Sequence, residues 1–184
     1  MTTAELSAEI RENADRWLDA SSTLLAVHCF AQGAEMVCLA WEATAGYLVG
    51  STDRTPSKGS VLKFAERYMP DLGRTRLEGM AFAGIPPRAV DTCAEVLYEC
   101  YRGGLFHDGQ RTAGVRVMDH KGKWMVSFEA DGSLRLNAIP FQAQFERGLA
   151  AYLRDLKRDP ALAALAEHRS AHLAKPVVVP FAQS

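Results

Sequence analysis

The residues best suited to chemistry sit close together in Tyr101-Arg102-Gly103-Gly104-Leu105-Phe106-His107-Asp108-Gly109. Arginine grips a phosphate bidentately and stays charged, while histidine takes up or releases a proton near neutral pH. Brought to one point, the two suit a phosphodiester. On an unbroken helix, however, five residues leave their side chains about 140° apart. His107 then lies seven residues from Cys100, on the apolar stripe, and Arg102 lies on the polar stripe with Asp91, Glu95 and Tyr98. A bend at Gly103-Gly104, or a twofold dimer, is needed to reunite them. There is also a purely structural reading. Arg102 complements a helix C-terminus and pairs with Glu99, Gly103-Gly104 forms the cap, and His107 belongs to a loop.

Other chemistry-bearing groups are sparser. Cys93 and Cys100 share a helical face, and His28-Cys29 and Cys38 fall in the most apolar stretch, where core packing is the better reading. No cysteine or histidine set has zinc spacing. His168 and His172 are four apart on a helix, which suits a metal, but no third ligand is near, so a solvated face is favoured. Gly46 and Gly50 are followed by Ser51-Thr52, which lacks the lysine of a phosphate loop, and no Gly-x-Ser-x-Gly elbow occurs. The sequence therefore predicts no metal and no cofactor.

The periodicities place these groups on elements. A helix is expected over 4–20, with Thr3 as its cap and Glu5 in its first turn. A second starts after Ser21-Ser22 and ends near Thr44. It is apolar nearly all round, so it must be covered on nearly all sides, and in a small bundle that calls for a second subunit. A loop over 50–60 leads to a short helix, Val61 to Met69. Pro86-Pro87 opens a long helix through Arg102, with Val90, Cys93, Val96 or Leu97, and Cys100 as its core stripe.

Over 114–138 the period changes to two, which predicts three antiparallel strands. Apolar pairing favours a three-residue loop at Ala130-Asp131-Gly132 with a glycine bulge, setting Phe128 opposite Leu134 and Val126 opposite Leu136. A four-residue loop Asp119–Gly122 would set Val117 opposite Trp124 and Val115 opposite Val126. Helices follow from about Phe141 to Lys157, and from Asp159-Pro160 to near Leu173. The expected fold is mainly α: one domain over 1–174, a helical bundle with a small three-stranded antiparallel sheet inserted before the C-terminal helices, and an extended tail over 175–184.

Composition agrees with a globular chain. The 184 residues are 48% hydrophobic and 23% charged, with a net charge of −1. That length buries roughly two-thirds of the unfolded surface without disulfides. Four cysteines and a charged first stretch, Glu5 to Asp19, predict reduced thiols, no secretory signal and a cytoplasmic location. Glu35 and Glu42 interrupt the apolar run Leu24–Val49, which argues against a membrane span. Charge is uneven: −5 over residues 1–50, and +3 over each of 51–76 and 102–123. The two basic segments, if they fold together, offer an anion-binding face.

The spacing Arg102-x4-His107, flanked by Leu97-Tyr98-Glu99-Cys100-Tyr101 and Asp108-Gly109, resembles the signature of HEPN domains, as does the order of helices, motif, sheet insertion and closing helices. The likeness spans residues 22–157 in outline and about a dozen residues in detail. It implies a helical homodimer with facing motifs, in which Arg102 and His107 are catalytic and Tyr98, Tyr101, Asp108 and Arg111 contact substrate. The implied activity is metal-independent RNA cleavage by 2′-OH attack, giving a 2′,3′-cyclic phosphate. The implied setting is a toxin or phage-defence system, with an antitoxin or sensor protein as partner. Gly103 stands where catalytic members carry a polar residue, which leaves open a non-catalytic module that binds RNA, a nucleotide or a protein.

Overall fold

The computed structural model describes residues 1–74, 77, 91–99, 115–118, 124–129 and 134–175. The first helix, α1 (Thr3–Ala26), starts from Thr2 rather than Thr3, because only Thr2 has a glutamate three residues on. Thr2 Oγ1 accepts from the Glu5 amide at 3.2 Å, and the Glu5 carboxylate accepts from the Thr2 amide at 2.7 Å. Ser21-Ser22 does not break the helix as expected. Ser21 Oγ donates to Gln142 Oε1 at 2.8 Å and Gln142 Nε2 donates to Ser22 Oγ at 2.9 Å, so both hydroxyls are spent on a neighbouring helix. The chain turns later, at His28, whose left-handed φ of 60° lets the amides of His28 and Cys29 return to Leu25 and Leu24.

The second helix, α2 (Phe30–Val49), is the axle of the fold. It touches α1, the helices α3, α6 and α7 described below, and strand β1. Ala34, Val37, Ala40, Trp41, Ala45 and Tyr47 on it are each no more than 2% exposed. The cover expected from a second subunit is thus supplied by the chain's own elements. Gly50 closes α2 with φ 63°, and the Ser51 amide reaches back to the Gly46 carbonyl at 3.0 Å.

After a loop, α3 (Lys58–Tyr68) is capped by Ser57, and α4 (Pro70–Gly73) starts on its proline. Next comes α5 (Cys93–Val96), extended by a wider π turn through Glu99. The sequence placed one long helix from Pro86-Pro87 to Arg102. Thr92, however, is extended (φ −136°, ψ 160°) and is itself the N-cap of α5, in a reciprocal pair with Glu95, so the helix begins at Cys93. On the expected stripe, Cys93, Val96 and Leu97 are buried; Val90 and Cys100 lie outside the described residues.

The strands are β1 (Val115–Met118), β2 (Val126–Phe128) and β3 (Leu134–Asn137), in the order β1-β3-β2. β2 and β3 pair antiparallel in the expected register, Phe128 with Leu134 and Val126 with Leu136. The loop residues 130–133, and with them the expected bulge at Gly132, lie outside the described residues. β1 departs from expectation: it pairs with β3, in parallel, and sets Val115 beside Leu134 and Val117 beside Leu136. The sheet is mixed rather than antiparallel. Leu134 and Leu136 are fully buried, whereas Phe128 is 37% exposed and Trp124 79%, so β1's valines find a drier neighbour in β3 than in β2.

Helix α6 (Ala138–Leu156) follows β3 directly and takes Pro140 into its first turn, three residues earlier than the sequence indicated. Its buried stripe is Phe141, Phe145, Leu149, Tyr152 and Leu156. Phe64 and Tyr68 of α3 meet Phe145 and Tyr152 with ring centroids 5.5–6.1 Å apart. Last, α7 (Pro160–Leu173) is capped as expected by Asp159, whose carboxylate accepts from the amides of Ala161 and Leu162. All these elements share one hydrophobic cluster. No described helix is long and apolar enough to cross a membrane. Of the predicted tail, only Lys175 lies among the described residues.

Helix α6 crosses the end of α3 closely. A Cβ on Gly148 would stand 2.8 Å from the Tyr68 carbonyl oxygen. Gly148→Ala is therefore expected to cost about 1–3 kcal/mol by forcing the two backbones apart. A thermal melt checks this, and an unchanged midpoint would contradict the packing.

Candidate functional site

Of the residues the sequence singled out for catalysis or substrate contact, Tyr98 alone is described. Tyr101, Arg102, His107, Asp108 and Arg111 lie outside the described residues. Tyr98 is half-buried and packs on the core, beside Leu97, Cys38, Trp41, Glu42 and Val61. It therefore belongs partly to the apolar side of α5, not to the polar stripe on which the spacing put it.

The segment that delivers the motif is held firmly. Cys93, Val96 and Leu97 are no more than 1% exposed. The Glu95 carboxylate accepts from the amides of Asp91 and Thr92 at the helix start. From α3, Lys58 Nζ donates to Glu99 at 2.5 Å and stands 3.9 Å from Glu95. α5 is thus fixed by apolar burial on one side and by a lysine clamp on the other, directly upstream of Tyr101 and Arg102.

Much of the expected basic face falls outside the described residues. Within 51–76, Lys58 is taken by Glu95 and Glu99, Arg67 by Asp155 at 3.2 Å, and Arg74 Nε donates to the Glu66 carbonyl. The 102–123 segment contributes only Arg116 to the described residues. Among the described residues no group of three metal-ligating side chains occurs. His168, half of the His168/His172 pair, instead has Nδ1 3.2 Å from the Gly50 carbonyl. Cys38 and Cys93 are core groups: burial pushes the Cys93 thiol up to about 11 and, helped by Glu42 and Glu35, raises Cys38 further.

The sequence reading missed a buried, multiply bonded charge. Arg169 on α7 is 2% exposed. Its Nη1 donates to the carbonyls of Ser51 and Asp53 at 2.7 and 2.8 Å, and Nη2 to that of Arg54 at 3.4 Å. The guanidinium lies 5.4 Å from the Tyr47 ring centre, and Gly46 makes room for it, since a Cβ there would stand 2.3 Å from Cζ. No carboxylate pairs with it among the described residues. The loop carbonyls beyond the C-terminus of α2, where a helix carries partial negative charge, take that place. Around it, Tyr47 donates to Glu9 at 2.9 Å and accepts from Asn13, and Ser170 donates to Glu9 at 2.6 Å. Burial first, then Glu9, pushes the Tyr47 hydroxyl up to about 12. One signal in the sequence pointed here: Arg169 interrupts the stripe Leu162, Ala166, Leu173, where an apolar residue belongs.

No family model, no curated protein and no solved structure matches this chain.

Two outcomes follow from this geometry. Arg169→Met leaves the carbonyls of Ser51 and Asp53 without donors and is expected to cost about 2–4 kcal/mol in denaturant unfolding, with Arg169→Lys recovering part of it. A loss under about 0.5 kcal/mol would show the clamp to be dispensable. The second concerns the thiols. Because Cys93's folded value lies above a thiol's ordinary value of 9.0, its contribution to stability is intact below pH 9 and is lost as pH rises toward 11. At pH 8, thiol labelling mapped by mass spectrometry should mark the half-buried Cys29 and spare Cys38 and Cys93. Rapid native labelling of Cys93 would contradict its burial.

Proposed function

We propose that the chain is a metal-independent endoribonuclease of the HEPN-like kind, working as a homodimer with Arg102 and His107 as its catalytic pair. The observation that carries this reading is the Arg102-x4-His107 motif following a short helix that is anchored on a helical bundle. It is supported by the mainly helical architecture, the sheet placed before the closing helices, and the clamp of Lys58 on Glu95 and Glu99. An anchored helix gives a motif a fixed point of departure, and catalysis by two side chains needs such preorganisation.

The chemistry is a transesterification. Neutral His107 takes the proton of a ribose 2′-OH, and the 2′-oxygen attacks the adjacent phosphorus. Arg102 binds the phosphate oxygens as charge gathers on them, and the 5′-oxygen leaves with the proton that His107 took up and now returns. The products are a 2′,3′-cyclic phosphate and a 5′-hydroxyl. Tyr98, Tyr101, Asp108 and Arg111 flank the RNA in this reading, and a toxin or phage-defence role with an antitoxin or sensor partner is its setting.

A second reading is favoured by Gly103, which supplies no side chain to orient the phosphate: the same module binds RNA, a nucleotide or a protein without cutting. Incubation of the purified chain with assorted RNAs in EDTA separates the two. Cleavage that His107→Ala and Arg102→Ala each slow by at least about 100-fold supports the nuclease. Salt-dependent RNA binding without products supports the second reading. Cleavage undiminished in His107→Ala overturns the assignment of the pair.

A further inference from the structure

The groove beside Arg169 has the composition of a binding site. It encloses about 430 Å³ between α1, the end of α2 and α7. Its lining holds three guanidinium groups, Arg16, Arg54 and Arg169, and no carboxylate. Arg169 is buried and held by backbone carbonyls, so its positive charge is fixed in place with no acidic partner among the described residues. The Arg54 side chain is exposed, and its guanidinium has no partner among the described residues. Arg16 bonds Glu12 at 2.9 Å, but that pair is open to water, with the two side chains 67% and 70% exposed, and so is weakly held. The nearby Glu9 carboxylate is already occupied by Tyr47 and Ser170.

The same wall presents a flat apolar surface. Trp17 lines the groove and is 38% exposed, although large aromatic side chains on helices are ordinarily turned inward. Asn13 lies one helical turn before it on α1. An aromatic face beside the open Arg54 guanidinium and the weakly held Arg16 fits a ligand with a planar ring at one end and a phosphate at the other.

We propose that this groove binds a nucleotide, its base on Trp17 and its phosphate on Arg54 and Arg16. The site shares no residue with the Arg102–His107 motif and stands whether or not the chain cleaves RNA.

Calorimetric titration of the full chain with AMP and UMP, and with adenosine and inorganic phosphate as fragments, tests it. At least one nucleotide should saturate the chain, with each fragment binding at least about tenfold more weakly. Arg54→Ala and Trp17→Ala change exposed side chains, and each should weaken nucleotide binding about tenfold or more while the melting curve is preserved. His107→Ala should bind as the unaltered chain does. Three results would overturn the proposal: no saturation by either nucleotide at about 10 mM, affinity unchanged in both groove variants, or inorganic phosphate binding as tightly as the nucleotides. Loss of nucleotide binding in His107→Ala alone would move the site to the motif and overturn it equally.

Discussion

A buried guanidinium with no carboxylate partner among the described residues is costly, and the chain is arranged around meeting that cost. Desolvating Arg169 lowers its pKa, yet arginine does not give up its proton in a protein, so its donors must be satisfied where they lie. The Nη donors are satisfied by the loop after α2, which folds back over α7 with Gly46 leaving space beneath, while Nε has no hydrogen-bond partner among the described residues. The constraint then propagates. The loop leads to Ser57 and Lys58, Lys58 holds Glu95 and Glu99, and these fix α5, from which the Arg102 segment departs. A charge near the C-terminus of the chain thereby positions an element from its middle.

The remainder of the core is apolar and locally simple. α2 runs through the centre and α1, α3, α6 and α7 close around it. Small residues such as Ala34, Ala40 and Ala45 let its neighbours come close, while Trp41, Phe64, Phe141, Phe145 and Tyr152 fill the larger spaces. Polar atoms inside are mostly matched one to one: Trp41 Nε1 donates to the Val61 carbonyl at 3.1 Å, and Thr44 Oγ1 donates to the Ala40 carbonyl at 2.8 Å. Exceptions among the described residues include Arg135 Nε, Arg169 Nε and the hydroxyl of Tyr152, each buried without a hydrogen-bond partner, and burial raises the pKa of Tyr152. Its ring packing against Phe64 and Tyr68 offsets that penalty.

Two regions of this molecule carry functional readings, and they rest on different grounds. The Arg102–His107 motif is a pattern of residue types on a short stretch of chain, and its meaning depends on how the two side chains meet. The groove at Trp17 and Arg54 has no pattern in the sequence at all. Its residues come from positions 13–20, 43–54 and 169–173, and they converge because α1, α2 and α7 pack as a layer. The first is chemistry in search of a geometry, and the second is a geometry that implies a chemistry.

What the sequence determined by itself was local. The helical class, the Asp159-Pro160 start of the last helix, the apolar stripe of α5 and the Phe128–Leu134 register each follow from interactions among near neighbours, with period, cap and turn read over a few residues. What tertiary structure decided was every choice between two locally acceptable partners. Ser21-Ser22 continues a helix because Gln142 takes its hydroxyls, and β1 lies along β3 because that edge is drier than β2. α2 is enclosed by its own chain, and Arg169 sits on an apolar stripe because a loop more than a hundred residues earlier supplies its acceptors. Local rules cannot rank such alternatives, since the free energy that separates them comes from burial and hydrogen bonds between segments remote in sequence.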